Sequence, residues 1–314
     1  MIERPIGILD EHPEWSQRLL ATLDARRLPY EKIDHSSHAF DPRSRKPEYS
    51  VIVNRSSPSS HTRGHASVLF YTEALLAHHE SLGVPVVNGL GAYRFEKSKA
   101  LQLGLLERLG VRYPRAVVVN HREHVLKALD RITFPLVVKP NVGGSGAGIV
   151  RFDSPDALRA GLDSLPFGPD GTALVQEYIE PREGAIVRVE VLDGRALYAI
   201  RIVREGSQTF NLCPADICQV PAPASLAACP VDAKPGLTVT RFEAPREAVE
   251  TAERLTREAG IDVGGVEYLV GARDGLTYFY DVNATSNFVA DAPRVLGFDP
   301  FVPFVDFIVA RAKG

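Results

Sequence analysis

This 314-residue sequence predicts a three-part α/β (α+β) protein. Three observations predict it: apolar runs alternating with helical patterns over residues 1–94, a glycine-rich stretch between two strand patterns in residues 95–180, and paired strands bearing acids and an asparagine in residues 181–314. Alternating strand and helix patterns make a parallel sheet with crossover helices, and consecutive strands joined by tight turns make antiparallel ones.

In the first part, residues 6–9, 51–53 and 84–87 read as strands, Trp15, Leu19 and Leu23 recur at helical spacing, and residues 66–81 read as a second helix, giving βαβαβ. Residues 96–109 then read as one helix with Leu101, Leu105 and Leu109 on one face and Gly110 as its stop. In the second part, residues 135–139 and 171–179 read as strands, and Ser154-Pro155 starts a helix with a capping serine and a first-turn proline. The third part has strands near 185–191 and 196–203, a Pro/Ala-rich surface loop over 221–236, a helix over 245–259, and strands over 262–271 and 276–282. Phe301, Phe304, Val305 and Ile308 form a closing helical core stripe.

With 45% hydrophobic and 24% charged residues, the chain has ample material for compact cores. A net charge of -3 points away from nucleic acid, whose binders carry basic faces. Cys213, Cys218 and Cys229 form no CxxC pair and read as reduced thiols. No apolar run reaches a membrane span, and the start lacks a signal-peptide pattern, so the expectation is a soluble, cytoplasmic protein with no membrane partner.

Leu136-Val137-Val138-Lys139-Pro140-Asn141-Val142-Gly143-Gly144-Ser145-Gly146-Ala147-Gly148 is the most informative segment. Its glycines let amide N–H groups approach phosphate oxygens closely. A Walker loop would need Lys and then Ser or Thr after the last glycine, where Ile149-Val150 stand, and a dinucleotide loop would open a helix rather than a strand. A glycine hairpin remains, with Lys139 ending its first strand. Glycine density alone equally describes a surface loop, and the preceding lysine is what tips the reading to phosphate.

Asp281 and Asn283 lie two apart on one strand and therefore on one face. Glu267 joins them only if the turn allows. A two-residue Asp274-Gly275 turn would pair it with Val282, whereas a three-residue turn with left-handed Gly275 would pair it with Asp281. Carboxylate and amide oxygens of this hardness suit Mg²⁺ completed by phosphates. The alternative is a pair of solvated strand acids.

Together these segments resemble the ATP-grasp superfamily, and within it the RimK-like carboxylate-amine ligases. Val87-Asn88-Gly89, Phe95-Glu96-Lys97, the glycine segment, Val175-Gln176-Glu177-Tyr178-Ile179, Val187-Arg188-Val189, Ala199-Ile200-Arg201, and Glu267 with Asp281-Val282-Asn283 carry the resemblance, which runs from about Val86 to Pro300. It implies an N-terminal pre-ATP-grasp domain and two α+β subdomains enclosing ATP. It also implies Lys97 and Lys139 on the phosphates, Gly143, Gly144, Ser145 and Gly146 over them, and Gln176 to Ile179 beside adenine, with Glu177 or Glu183 near the nucleobase or ribose. Arg188 and Arg201 would stabilise transferred negative charge, and Glu267, Asp281 and Asn283 would hold magnesium, as two ions, with Mn²⁺ a substitute.

The implied chemistry is γ-phosphoryl transfer to a carboxylate, followed by attack of an amine on the acyl phosphate. Rival expectations keep the activation but use a thiol or hydroxyl acceptor, or keep only ATP binding as a regulatory module. Two segments depart from the family pattern: Ile186-Val187-Arg188 stands where relatives often have Asp-Ile-Arg, and the loop Ala284-Thr285-Ser286-Asn287-Phe288 lacks their common Pro-Gly. Expected partners are an amino-acid, peptide or small-molecule carboxylate and an amine acceptor, with a homodimer admissible. Arg55, Arg63, Asn211 and Ser286 are the substrate candidates; Arg55 and Arg63 follow a strand where open sheets place ligand loops.

Overall fold

The computed structural model describes residues 2–12, 14–144, 146–204, 210 and 237–314. Ser145, Asn211, the three cysteines and the 221–236 loop lie outside the described residues.

Three sheets divide the chain. The first comprises β1 (Ile6–Leu9), β2 (Tyr30–Ile33), β3 (Val51–Asn54) and β4 (Val86–Val87), all parallel in the order β2-β1-β3-β4. Strands β1 and β3 are continuously buried because helices cover both faces, which is why they read as uninterrupted apolar runs. Leu19 and Leu23 of the helix Gln17–Ala25 share one core with Phe304 and Ile308 of the helix Phe301–Lys313, whereas Leu75 and Leu76 of the helix Val68–Ser81 close the other face. The C-terminal helix thus returns to the N-terminal sheet. Strand β2 is absent from the sequence reading: Tyr30-Glu31-Lys32-Ile33 is a half-exposed edge with no apolar run to announce it.

The second sheet, β5 (Ala116–Val119), β6 (Leu136–Pro140), β7 (Val150–Phe152) and β8 (Ala173–Glu177), is antiparallel in the order β5-β8-β6-β7. Strands β6 and β7 flank the glycine hairpin, with Leu136 opposite Phe152 and Val138 opposite Val150. The third sheet, β9 (Pro181–Leu192), β10 (Arg195–Arg204), β11 (Leu237–Phe242), β12 (Val263–Gly271) and β13 (Thr277–Asn283), is antiparallel in the order β11-β10-β9-β12-β13.

The expected single helix over 96–109 is two helices, Leu90–Glu96 and Lys99–Arg108. Ser98 breaks it: its backbone is extended and its hydroxyl accepts from the Leu101 amide, capping a new start. Gln102 in the second helix clamps β13 by donating to the Val282 carbonyl and accepting from the Val282 amide. Asn88, in the left-handed region, ties the first part to the third: its amide nitrogen donates to the Val263 and Ala284 carbonyls, and its oxygen accepts from the Asp262 and Val263 amides.

Candidate functional site

Where the second and third sheets face each other, with the N-terminal part at one end, lies a cavity of about 220 Å³. Strand β6 supplies Val137 and Lys139, the hairpin supplies Gly143, Gly144 and Gly146, and the end of β8 supplies Gln176 to Ile179. One face of the third sheet supplies Arg188 and Glu190 from β9, Glu267 from β12, and Asp281 and Asn283 from β13.

Glu267 does stand opposite Asp281, but neither turn considered above is the cause. Val270 pairs with Thr277 and Tyr268 with Phe279, a register that alone would set Glu267 against Tyr280. A bulge at Tyr280 shifts the ladder by one residue and brings Asp281 round to the face of Glu267. Gly275 is left-handed as expected, with φ 72°.

Lysines and carboxylates face one another across this cavity. Lys139 is buried, and burial, reinforced by the Lys99 ammonium, pulls it down to about 8. Lys99 lies 3.4 Å from Asp281 Oδ1 and equally far from the Gly143 carbonyl. Burial resists ionisation of Asp281, but Lys99 and Lys139 outweigh it and hold the carboxyl below its usual range. Burial pushes Glu267 up, against the opposing pull of Arg188. Lys99 and Lys139 thus face the same space as Asp281 and Glu267, so the lysines can meet phosphate oxygens while the carboxylates take a cation.

Arg188 is fixed from both sides. Its Nε donates to Glu190 Oε1 at 2.6 Å and its Nη1 to Glu267 Oε1 at 2.9 Å. Burial lowers its tendency to stay charged, yet the two carboxylates outweigh this and raise it above the ordinary arginine value. The guanidinium lies flat over Gly265, where any side chain would overlap it. Asn283 donates to Asp281 Oδ2 at 3.1 Å, leaving its amide oxygen for another partner. Two carboxylates and an amide oxygen fit Mg²⁺, and among the described residues no group of three His, Cys, Asp or Glu could hold a metal unaided. A cation here would therefore draw further oxygens from bound phosphate and water.

Several expected site residues are not brought to this cavity. Lys97 caps the preceding helix, pairs with Glu73 at 2.9 Å and lies over the Phe70 ring, so Lys99, displaced to a new helix start by Ser98, takes the place expected of it. Arg201 stands opposite Val187 and therefore on the reverse face of the sheet from Arg188, where it pairs with Glu183. Glu183 is consequently away from the cavity as well. Arg63 pairs with Glu11 and donates to Ser59 Oγ at 3.0 Å. Arg55 is wholly buried beneath the cavity, donating to the Ser286 carbonyl at 2.6 Å and to Asn287 Oδ1. Glu177 borders the cavity, but its carboxylate accepts from Thr133 at 3.1 Å. The Glu177 and Tyr178 amides already donate to the Arg115 and Pro135 carbonyls, so a backbone N–H contact with a base would fall on Ile179.

Three residues of the site escaped the sequence reading. Lys99 was hidden inside an apparently continuous helix, and Ser98 was the available signal. Glu96 is buried and accepts from the Ala284 and Thr285 amides, anchoring the loop after β13. Glu190 shares the face of Arg188 two residues away, so an alternating charged pair in an apolar strand could have disclosed it. Ser286 donates to Glu190 Oε1 at 2.9 Å and lines the cavity.

Residues 96–219 match the model of the RimK-like ATP-grasp domain. A probable alpha-L-glutamate ligase of Vibrio vulnificus (strain YJ016) is 30% identical over 168 residues, 53% of this chain and 53% of that protein, so the chain spans about half the length of that relative. Probable alpha-L-glutamate ligase 2 of Shewanella amazonensis is 24% identical over 98% of this chain and 97% of its own. Among solved structures, the ATP-grasp ligase PsnB, complexed with a phosphomimetic variant of a minimal precursor, Mg and ADP, superposes with a TM-score of 0.69 at 18% identity, covering 99% of this chain and all of that one. D-alanine–D-alanine ligase from Bacillus anthracis gives 0.68 at 18% identity over 99% and 97% of the two chains. At such identities the likeness is one of fold.

Proposed function

We propose that this chain, whose residues 96–219 match the RimK-like ATP-grasp domain, is an ATP-dependent ligase that joins a carboxylate to an amine and releases ADP and phosphate. The observation that carries the reading is partly buried Lys99 and buried Lys139 facing Glu267, Asp281 and Asn283 across one cavity roofed by the glycine hairpin. Lys99, Lys139 and the hairpin amides hold the triphosphate, and the apolar side chains of Val137 and Ile179 border the base. Glu267, Asp281 and Asn283 would hold magnesium, which when bound supplies charge neutralisation between the phosphates.

A substrate carboxylate oxygen attacks the γ-phosphorus and the bond to the ADP oxygen breaks, leaving an acyl phosphate. The amine nitrogen then attacks the acyl carbon, phosphate departs, and one amine proton is lost. Arg188, already oriented by Glu190 and Glu267, neutralises the oxygen charge that builds during both transfers. Positioning and charge neutralisation supply most of the acceleration, as is usual for phosphoryl transfer. Water would hydrolyse the acyl phosphate, so the hairpin has to exclude it.

The names of the relatives make glutamate the first amino acid to test, and a PsnB complex with a precursor peptide makes peptides the first partners to try with it. An ADP-release screen across amino-acid and peptide pairs tests the proposal. ADP formation dependent on both substrates and on magnesium is the expected result. Binding of ATP and magnesium with no carboxylate eliciting ADP would overturn it, and release elicited by thiols or alcohols alone would reassign the acceptor.

A further inference from the structure

At the end of the cavity nearest the N-terminal part, hydrogen-bonding capacity is left unspent. Glu190 is 0% exposed. Its Oε1 is fully engaged by Arg188 and Ser286, but its Oε2 has no partner. The next residue along the loop, Asn287, has its oxygen bonded to Arg55 and its Nδ2 buried without a partner. Both side chains line the cavity.

A buried carboxylate oxygen without a donor and a buried amide N–H₂ without an acceptor are each costly, and on two side chains that line one cavity they point to a missing ligand. That ligand donates to Glu190, and the donor a buried carboxylate holds most strongly is a cationic N–H group. It accepts from Asn287, so it also carries an oxygen close by. An α-amino carbonyl compound carries both, its ammonium nitrogen and carbonyl oxygen separated by only two carbons.

We propose that Glu190 and Asn287 form the subsite for the amine substrate, with Glu190 Oε2 receiving the α-ammonium and Asn287 Nδ2 donating to the adjacent carbonyl or carboxylate oxygen. This rests on the ligase reading and names the substrate class of its second half-reaction. Arg55 is the positioning residue, since its two contacts hold the Ser286 carbonyl and turn the Asn287 amide so that Nδ2 stays free. The location suits the chemistry: Arg188 bridges Glu190 to Glu267, so the ammonium would sit one guanidinium away from the carboxylates assigned to magnesium.

The test separates this subsite from the overall reaction. Binding of L-alaninamide and of N-acetyl-L-alaninamide to the ADP- and magnesium-loaded protein is measured by calorimetry or ligand-observed NMR, for wild type, Glu190→Gln and Asn287→Ala. Gln can keep one oxygen toward Arg188 and Ser286 but puts N–H₂ where Oε2 stands, so two sets of donors then face each other.

The expected result is that L-alaninamide binds wild type about 10- to 100-fold more tightly than Glu190→Gln, the span of a lost charge-assisted hydrogen bond. The acetylated probe, which has no ammonium, should not discriminate. ADP affinity should be unchanged in Asn287→Ala, and Glu190→Asp should restore part of the loss.

Equal binding of L-alaninamide by wild type and Glu190→Gln, or no binding by either, would overturn the subsite. Reduced ADP affinity in Glu190→Gln with unchanged discrimination between the two probes would assign Glu190 solely to orienting Arg188. If the subsite binds L-alaninamide as expected while no amine elicits ADP, the subsite stands and the ligase reading fails.

Discussion

Replacing Lys139 by methionine should stabilise the nucleotide-free protein while destroying its grip on ATP. The folded protein holds Lys139 at about 8 against an ordinary 10.5, with burial the largest cause and Lys99 the next. Between those values the unfolded chain binds more protons than the folded one, so stability rises with pH through this window. Below it the cost is fully present. The gap corresponds to about 3 kcal/mol at neutral pH. Methionine has a similar shape and no charge to desolvate, but Asp281 loses one of the two lysines that hold it ionised. The net gain should therefore be on the order of 1–3 kcal/mol without nucleotide, shrinking toward zero as the pH approaches roughly 10.5. Thermal melts across pH, with and without ATP and magnesium, read this directly. Nucleotide should reverse the order, since a ligand at about 100 times its Kd adds about 2.7 kcal/mol to wild type. A methionine variant that is less stable than wild type at neutral pH without nucleotide, or whose gain does not change with pH, would refute the reasoning.

Lys99→Ala should reduce ADP formation by at least about 100-fold, the scale of losing an electrostatic contact to a developing charge, while Lys97→Ala should stay near wild type. The opposite ranking in steady-state assays would restore Lys97 to the site. Asp281→Ala should abolish magnesium-dependent ADP formation while the circular-dichroism spectrum stays native, and near-normal turnover would sink the metal assignment. Gly265→Ala should displace the Arg188 guanidinium and lower kcat more than the affinity for ATP; unchanged kcat would show that the arginine can relax at no cost. Asn88→Ala leaves four backbone groups, three of them in buried bonds, without their partner and should cost about 2–4 kcal/mol in chemical denaturation, with a loss below about 0.5 kcal/mol counting against its role as the clamp between the first and third parts.

How much of this was legible from the sequence follows from the range of the forces involved. The buried parallel strands β1 and β3 announced themselves as apolar runs, and the Ser154 helix cap and the glycine hairpin behind Lys139 were readable because caps, turns and strand ends are decided within a few residues. The edge strand β2 was not, since half its residues face water and its identity comes from pairing with β1. Arg188 and Arg201 looked equivalent as arginines on neighbouring strands. The pairing register puts them on opposite faces, and no local pattern encodes that.

By itself, then, the sequence determined the α/β architecture, the hairpin with its lysine and the oxygen donors Asp281 and Asn283 two residues apart, because each follows from periodicity or from neighbours along the chain. Only the tertiary structure decided that Lys99 rather than Lys97 faces Lys139, that a bulge at Tyr280 delivers Asp281 to Glu267, and that Glu190 and Asn287 carry unpaired buried atoms at one end of the same cavity. These depend on register and on contacts across some 80 to 230 positions of sequence separation, such as Arg188 with Glu267 and Arg55 with Asn287. Which polar groups remain unpaired is a property of the packed whole, so it becomes visible only when every other partner has been placed.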